Sequence, residues 1–358
     1  MSEPERDLVA AAHPRAGTRM SGADIVVQVL ADEDVDTIFG YSGGAILPTY
    51  DAVFRYNDTH RREDGSAAMP LIVPANEQGA GFMAAGYARA SGKVGVVMVT
   101  SGPGATNTVT PVRDCMADSV PIVVICGQVP RAAIGTDAFQ EAPVSAIMGA
   151  VAKHIFLVTE PDKLEATMRS AFELARTGRP GPVVVDIPKD VQNWEGTFHG
   201  EGQMPMPGYW RRLSTVIENR LTRDLARRFF DMLGDARRPL IYAGGGVING
   251  NAAKPMRRFA NEYGIPVTTT LMALGASDTT HSLALHMLGM HGLASANYAV
   301  EDCDLLITIG ARFDDRVAGD PGSFAPRAKR IAQFDVDIAE INKVKNVDWH
   351  HVGVLATD

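Results

Sequence analysis

The sequence predicts an α/β protein made of two doubly wound parallel-sheet domains. Short apolar segments alternate with amphipathic ones along most of the 358 residues, the order that βαβ units produce. Residues 94–100 form a continuous apolar run, as a strand covered on both faces requires. Glycine-rich turns directly follow several of these strands, and tight strand-to-helix turns need glycine.

The first predicted domain covers residues 21–192. Ser21 and Asp24 stand before an amphipathic stretch and predict a capped helix there. Three further helices are predicted: one that begins near Glu77, one over residues 106–118 and one over residues 163–177. The predicted strands are residues 37–40, 71–73, 94–100, 121–127 and 181–188.

Composition separates this domain from its flanks and from a second domain. Residues 193–215 carry glycine and proline among polar residues, which predicts a linker. Residues 1–20 are polar and predict a disordered tail without the apolar core of a signal peptide. The second domain is predicted over residues 216–358, with strand-like runs at 238–246, 266–270, 304–310 and 330–337. Because no closing element is recognisable before Asp358, we expect the sequence to stop inside or at the end of this domain.

Composition also excludes several classes of binding partner and several kinds of site. The net charge of −8 argues against nucleic acid or an anionic membrane surface as the main partner. The longest apolar runs are too short to span a bilayer. Cys115, Cys126 and Cys303 lie far apart and form neither a zinc spacing nor a disulfide framework, which predicts a cytoplasmic protein.

Glu77 is the candidate functional residue that the local pattern indicates. It precedes a run of small residues, Gly79 to Ala88, and the turn Ser101-Gly102-Pro103-Gly104 follows one strand later. An acid at the start of a helix that can be approached closely is suited to contact a flat heterocycle. The alternative is that Glu77 only offsets the positive end of the helix, an effect of about 0.3–1 kcal/mol.

Several motifs together extend this interpretation. From about residue 21 onward the sequence resembles the large subunit of acetolactate synthase (acetohydroxyacid synthase), a thiamine-diphosphate enzyme that also binds FAD. Any one glycine string would be weak evidence, because many folds need glycine in such turns. The resemblance rests on residues 41–45, 77–80, 100–107, 127–131, 135–141, 178–182, 188–190, 289–292 and 310–317.

The resemblance implies a thiamine-diphosphate pyrimidine-binding domain first. Glu77 would hydrogen-bond N1′ of the cofactor and promote its imino form, which is acid–base tuning of a cofactor by a buried carboxyl group. Asn76 and Ser42 stand where the family commonly has His and Pro, and we interpret both as mild departures. The implied thiamine-contacting turn is Tyr41, Gly43, Gly44 and Ala45; the implied catalytic residues besides Glu77 are Gln140 and Lys189; the implied substrate-cavity residues are Pro130, Ala138 and Phe139.

The second domain is implied to be a central FAD-binding type. Its Gly-Gly-Gly turn after a strand is suited to close approach of a diphosphate, although it lacks the full spacing of a dinucleotide fingerprint. The implied FAD contacts are Arg212, Gly245, Gly246, Thr270, Leu271, Met272, Met290, His291, Gly310, Arg312, Asp315, Val317 and Asp335. By themselves, the two methionines are more typical of core residues and Asp335 of a strand end.

The family's third domain has no counterpart in this sequence. In the resembled enzymes a Gly-Asp-Gly string followed by Asn holds Mg²⁺ and the cofactor diphosphate, and no Gly-Asp-Gly occurs here. We therefore expect the chain to comprise the first two of three domains, with Mg²⁺ bound through the missing C-terminal domain, and to be inactive alone.

The implied reaction is decarboxylation of pyruvate and condensation with a second 2-keto acid, pyruvate or 2-ketobutyrate, at the start of valine, leucine and isoleucine synthesis. A homo-oligomer with a shared active site, and a small regulatory subunit, are implied partners. Residues 136–141 and 312–316 favour this reaction over that of pyruvate oxidase or oxalyl-CoA decarboxylase, which remain alternatives. A non-catalytic FAD- or nucleotide-binding module of the same fold is the alternative from another class.

Overall fold

The structure, a computed structural model, describes residues 13–357. It divides into two compact units, with the boundary between Pro205 and Met206. Each unit contains a parallel sheet flanked by helices in sequence, which confirms the predicted α/β class with two parallel-sheet domains. Across residues 13–357, no helix is both long enough and apolar enough to cross a membrane.

The first unit alternates strands and helices. Within residues 13–205 the strands are β1 (Arg19–Ser21), β2 (Ile38–Tyr41), β3 (Leu71–Ile72), β4 (Gly95–Val99), β5 (Ile122–Gln128), β6 (His154–Leu157), β7 (Val183–Pro188) and β8 (Glu195–Thr197). The helices are α1 (Gly22–Asp32), α2 (Leu47–Thr59), α3 (Glu77–Ser91), α4 (Pro103–Thr106), α5 (Val109–Asp118), α6 (Val144–Met148), α7 (Leu164–Arg176) and α8 (Lys189–Gln192), with 3₁₀ turns at Arg131–Ala133 and Pro161–Lys163.

Six strands described in this unit form one parallel sheet in the order β3-β2-β4-β5-β7-β6. The three strands β4, β5 and β7 are buried along their whole length, as their apolar sequences predict for central strands. The chain runs outward from β2 to β3 and then returns to β4 on the other side. The carboxyl ends of β2 and β4 therefore border a topological switch point, where α/β folds commonly place ligands.

The ends of the first unit differ from the prediction. Residues 13–20 were expected in a disordered tail, but β1 pairs antiparallel with β8, with Arg19 opposite Thr197. The same pairing places Glu195–Thr197 inside the first unit, and α9 (Pro207–Glu218) takes up the last part of the predicted linker. Gly196 packs directly against the ring of Trp194, so its presence reflects close contact and not a flexible segment. Residues 1–12, also predicted as tail, lie outside the described residues.

The second unit repeats the alternation. Between residues 206 and 357 the strands are β9 (Pro239–Ala243), β10 (Val267–Thr269), β11 (Ala284–Met287), β12 (Leu305–Ile309), β13 (Arg330–Asp335) and β14 (Trp349–Val352). The helices after α9 are α10 (Arg223–Asp235), α11 (Gly245–Asn249), α12 (Ala253–Tyr263), α13 (Ala294–Asp302) and α14 (Asp315–Ala318), with 3₁₀ turns at Leu271–Ala273, Ile338–Glu340 and Leu355–Thr357.

These strands form a parallel sheet in the order β11-β10-β9-β12-β13-β14, the order found in dinucleotide-binding α/β folds. Alternate residues of β9 enter two different apolar cores. Ile241 and Ala243 belong to one cluster, whereas Leu240 and Tyr242 belong to the other, so the sheet is covered on both faces. The chain reverses direction across the sheet between β9 and β12, which defines the second switch point.

Candidate cofactor sites

Glu77 is the first residue of α3 and is 8% exposed. Asn76 caps this helix, because its side-chain oxygen accepts a hydrogen bond from Gly79 N at 2.7 Å. The small residues that follow Glu77 are explained by packing: a Cβ atom on Gly81 would lie 2.7 Å from Cβ of Pro111, on α5. The small residue at position 81 therefore allows α3 to approach α5 closely.

The carboxyl group of Glu77 is held by a residue that sequence reasoning did not single out. Asn107 Nδ2 donates to Glu77 Oε2 at 2.9 Å. A Cβ atom on Gly104 would lie 3.6 Å from Glu77 Oε1, so the turn after β4 passes close to the carboxyl group. Burial, and secondarily the Glu77 charge, raises the pKa of Tyr50, whose hydroxyl donates to Met98 O at 3.0 Å. In the sequence, Asn107 is indicated only by its position in the same motif, residues 100–107, as the glycine turn.

The predicted thiamine-contacting turn lies beside the turn after β4, which passes close to the carboxyl group of Glu77. A Cβ atom on Gly43 would lie 2.5 Å from Cγ2 of Thr100, and Ala45 N donates to Thr100 Oγ1 at 3.3 Å. Gln192 Nε2 donates to Ala45 O at 2.8 Å, so both backbone groups of Ala45 are fixed. Tyr41 ends β2, and a Cβ atom on Gly44 would meet no atom within 4 Å, which leaves Gly44 open.

The loop of residues 134–143 brings Gln140 to the same strand ends. Gly102 has φ +54°, and a Cβ atom there would lie 2.9 Å from the carbonyl carbon of Gln140. Phe139, the neighbour of Gln140 in the sequence, is 88% exposed. Pro130, which follows shortly after β5, is also exposed. Lys189 follows β7, three strands from β2 in the sheet. The structure therefore groups Gln140 with the turns around Glu77 and leaves Lys189 at a more distant point of the same edge.

The residues of this edge fit the pyrimidine end of thiamine diphosphate but not a metal. Glu77 is a buried carboxyl group whose one side-chain partner among residues 13–357 is Asn107, and a carboxylate has about four acceptor positions. It can therefore share a proton with a ring nitrogen. Across residues 13–357 no group of three or more His, Cys, Asp or Glu side chains is arranged to hold a metal ion.

Glycine contacts define the switch point of the second unit. Gly246 N donates to Gly310 O at 2.9 Å, and a Cβ atom on Gly246 would lie 2.7 Å from Cα of Gly310. Gly244 N donates to Ile309 O at 2.9 Å. Two of the three glycine N–H groups are therefore used within the protein, and these glycines allow the ends of β9 and β12 to pack closely.

Most predicted FAD contacts lie at this same edge of the sheet. Thr270 follows β10, and its hydroxyl oxygen is buried without a hydrogen-bond partner in the described part of the chain. The other predicted contacts that lie at strand ends or within a few residues after them are Gly245, Leu271, Met272, Met290, His291, Arg312 and Asp335, whereas Asp315 and Val317 lie on α14. The Thr270 hydroxyl, which lacks a partner among the described residues, fits a polar group of a bound nucleotide. Arg212 is not brought to this edge by any strand: it lies on α9, in which no residue is buried.

Gly246→Ala is expected to destabilise the second unit by about 1–3 kcal/mol, because its Cβ atom would force two backbone segments apart. Gly234→Ala is the matched control, since Gly234 lies in α10 and its Cβ atom would meet no atom within 4 Å. The control is expected to gain about 0.5–1 kcal/mol from helix propensity. Urea unfolding followed by circular dichroism measures both. Equal stability of the two variants would show that the glycine contact is not required.

Two parallel α/β domains in this order, the first with a buried acid at its strand ends, agree with the resemblance to thiamine-dependent enzymes, and comparison with known families identifies the class. The family described as thiamine pyrophosphate enzyme, N-terminal TPP binding domain, matches residues 20–148. The family described as thiamine pyrophosphate enzyme, central domain, matches residues 226–357. The chain therefore belongs to the thiamine pyrophosphate enzymes and carries their N-terminal and central domains.

Within this class the chain is a homologue of the acetolactate synthase large subunits. It is 48% identical to an acetolactate synthase large subunit of Corynebacterium glutamicum over 338 residues, which cover 94% of this chain and 51% of the relative. It is 44% identical to a chloroplastic acetolactate synthase of Arabidopsis thaliana over 324 residues, 90% of this chain and 46% of the relative. The chain thus spans about half the length of the curated relatives it matches.

Proposed function

We propose that the chain forms the N-terminal and central domains of an acetolactate synthase catalytic subunit. In the proposed reaction pyruvate is decarboxylated, and its two-carbon remainder is condensed with a second pyruvate or with 2-ketobutyrate, the first common step of branched-chain amino-acid biosynthesis. One observation carries this proposal: Glu77 lies buried at the strand ends of a thiamine-type domain, with its carboxyl group held by Asn107.

Thiamine diphosphate, when bound, supplies the carbon nucleophile that 2-keto acids require. The contribution of this chain is to place a proton acceptor and donor in a site sheltered from water. With the cofactor bound, Glu77 would share a proton with the pyrimidine ring nitrogen, and Asn107 fixes the carboxyl group by donating to Oε2. The turn of Tyr41, Gly43, Gly44 and Ala45 is proposed to lie against the same ring, because it packs on the turn that passes Glu77.

Substrate contacts are proposed for the outer part of this edge. Gln140 is proposed as a catalytic residue and Phe139, Ala138 and Pro130 as cavity residues; the packing of Gln140 on Gly102 supports this. Lys189 is proposed to attract the carboxylate of a 2-keto acid by its charge. FAD is proposed to bind the second unit at the edge that carries Thr270 and Gly310, and Mg²⁺ is proposed to be held by polypeptide beyond this chain.

A homo-oligomer is proposed because the surface next to Glu77 is apolar. Phe82 and Met83 on α3 are 41% and 43% exposed, and Val73, just before this helix, is 56% exposed. A second copy of the chain would cover these side chains and complete the cavity around Phe139. A small regulatory subunit is proposed from the likeness to acetolactate synthase large subunits. The buried free cysteines support a reducing compartment, and the cytoplasm is proposed.

A non-catalytic FAD-binding module is the second candidate, favoured by the dinucleotide-type strand order of the second unit. One experiment separates the two functions. The purified chain is assayed for acetolactate formation from pyruvate with thiamine diphosphate, Mg²⁺ and FAD, alone and with the separately expressed C-terminal half of the Corynebacterium relative. Activity only in the mixture is the expected result. Turnover by the chain alone would overturn the proposed need for further polypeptide, and bound flavin without activity in either sample would establish the module.

A further inference from the structure

The loop of residues 134–143 carries Phe139 and Gln140 and adopts an unfavourable backbone conformation. Asp137 and Gln140 have φ values of 59° and 57°, in the left-handed region that non-glycine residues rarely adopt. Such conformations persist only where surrounding contacts impose them. Within the loop, Glu141 provides some of these contacts, because its carboxylate accepts from Gly135 N and from Ala138 N. Contacts from outside the loop must fix its position relative to the sheet.

Gln128, the last residue of β5, supplies such a contact. Its Nε2 donates to Ala142 O at 3.2 Å, and its Oε1 accepts from Val129 N at 2.8 Å. The side chain is 3% exposed. An amide has two N–H donors, and the second one of Gln128 donates to Asp186 Oδ2 at 3.0 Å. Reversal of the amide would place its oxygen against two acceptors, so these contacts select one orientation of the side chain.

Asp186 lies on β7 beside Cys126 of β5 and is 1% exposed. One carboxyl oxygen accepts from Gln128, and the other, Oδ1, has no hydrogen-bond partner among the described residues. An acid buried in this way costs free energy, and an apolar residue would avoid that cost. What the acid provides is an acceptor that faces the Gln128 amide from inside the sheet.

We infer that Asp186 and Gln128 form a buried pair of positioning residues that holds the Phe139–Gln140 loop against the strand ends. The pair connects two central strands of the sheet to the last residue before Pro143, so the rigid sheet fixes the loop. Its relevance for catalysis rests on the proposed function, in which Phe139 and Gln140 line the substrate cavity. The positioning itself does not depend on that function.

Hydrogen exchange of the full chain tests the positioning. Gln128→Met removes the donor at similar volume, and Asp186→Leu removes the acceptor; both are expected to accelerate exchange of the amides of residues 135–142 at least tenfold. Asp186→Asn retains an acceptor oxygen and is expected to stay within twofold of the unaltered chain. Amides of β4 and β7 report whether each variant is folded. Unchanged loop exchange in a folded Gln128→Met or Asp186→Leu variant, or equal acceleration in Asp186→Asn, would overturn the inference.

The assembled enzyme provides a second and separate measurement. If Phe139 and Gln140 contact substrate, Gln128→Met should raise KM for pyruvate about tenfold with kcat changed less than threefold, because a loosened loop loses binding common to the ground and transition states. Faster loop exchange without acetolactate formation by the unaltered assembly would leave the positioning intact and reject the proposed function. An unchanged KM together with faster exchange would reject the link between loop and substrate.

Discussion

Glu77→Gln is expected to lower kcat for acetolactate formation by the assembled enzyme by about 10²–10⁴-fold. Glutamine has nearly the same shape and can still accept from Asn107, but it does not exchange a proton with a ring nitrogen as a carboxyl group does. FAD should remain bound, because Glu77 belongs to the first unit and the predicted flavin contacts belong to the second. Initial rates and flavin absorbance measure the two effects.

Glu165→Gln is the matched control for this experiment. Glu165 is also a buried glutamate of the first unit, but its carboxylate pairs with Arg169 and accepts from the backbone N–H groups of His199 and Gly200. Its replacement should lower stability and leave kcat of the folded enzyme within about twofold. If Glu77→Gln retained nearly normal kcat, the proton-sharing role would be rejected. If both variants lost activity equally, the loss would reflect damage to the fold.

Asp186→Asn is expected to stabilise the first unit progressively as pH rises. Burial raises the pKa of Asp186 from 3.8 to about 7, against a smaller lowering by the Gln128 hydrogen bond. Between pH 4 and pH 7 the folded protein therefore holds a proton that the unfolded chain has released, and stability falls as pH rises. The total loss is about 4 kcal/mol above pH 7. Asparagine does not ionise and avoids it.

Urea unfolding at pH 5 and pH 8 measures this effect. The stability difference between Asp186→Asn and the unaltered chain should grow by about 3 kcal/mol over that interval. Asp190→Asn is the control: Asp190 is half-exposed and pairs with Arg131 at 2.7 Å, so its replacement should cost at most about 1 kcal/mol. A difference for Asp186→Asn that does not change with pH would show that Asp186 ionises normally in the folded protein.

The strands that sequence reasoning found and missed differ in their position in the sheets. The long apolar runs correctly predicted β4, β5 and β12, which are central and buried. The strands β6, β11 and β14 were not predicted, and each lies at an edge of its sheet; the remaining edge strand of the two parallel sheets, β3, was predicted from a short apolar run at residues 71–73. An edge strand packs against fewer neighbours, so it needs no continuous apolar run and leaves a weaker pattern in the sequence. For this reason β14 was not recognised beyond the last predicted strand.

The candidate site was predictable where its residues form local strings. Glu77 and the turn of residues 101–104 stand out because acid and glycine recur at close spacing. The hydrogen bond from Asn107 to Glu77 joins residues 30 apart, and that from Gln128 to Asp186 joins residues 58 apart. No periodicity links such partners, since only the sheet order brings them together. The thiamine, FAD and substrate contacts assigned by resemblance remain predictions.

The pairing of β1 with β8 has a consequence for how the first unit is completed during synthesis. Residues 19–21 have no strand partner until residues 195–197 have been made. At about 5–20 residues per second, β1 waits roughly 10–35 s on the ribosome for β8, while the six strands of the parallel sheet are produced in between. The first segment of this unit to be translated is therefore among the last to be fixed in place.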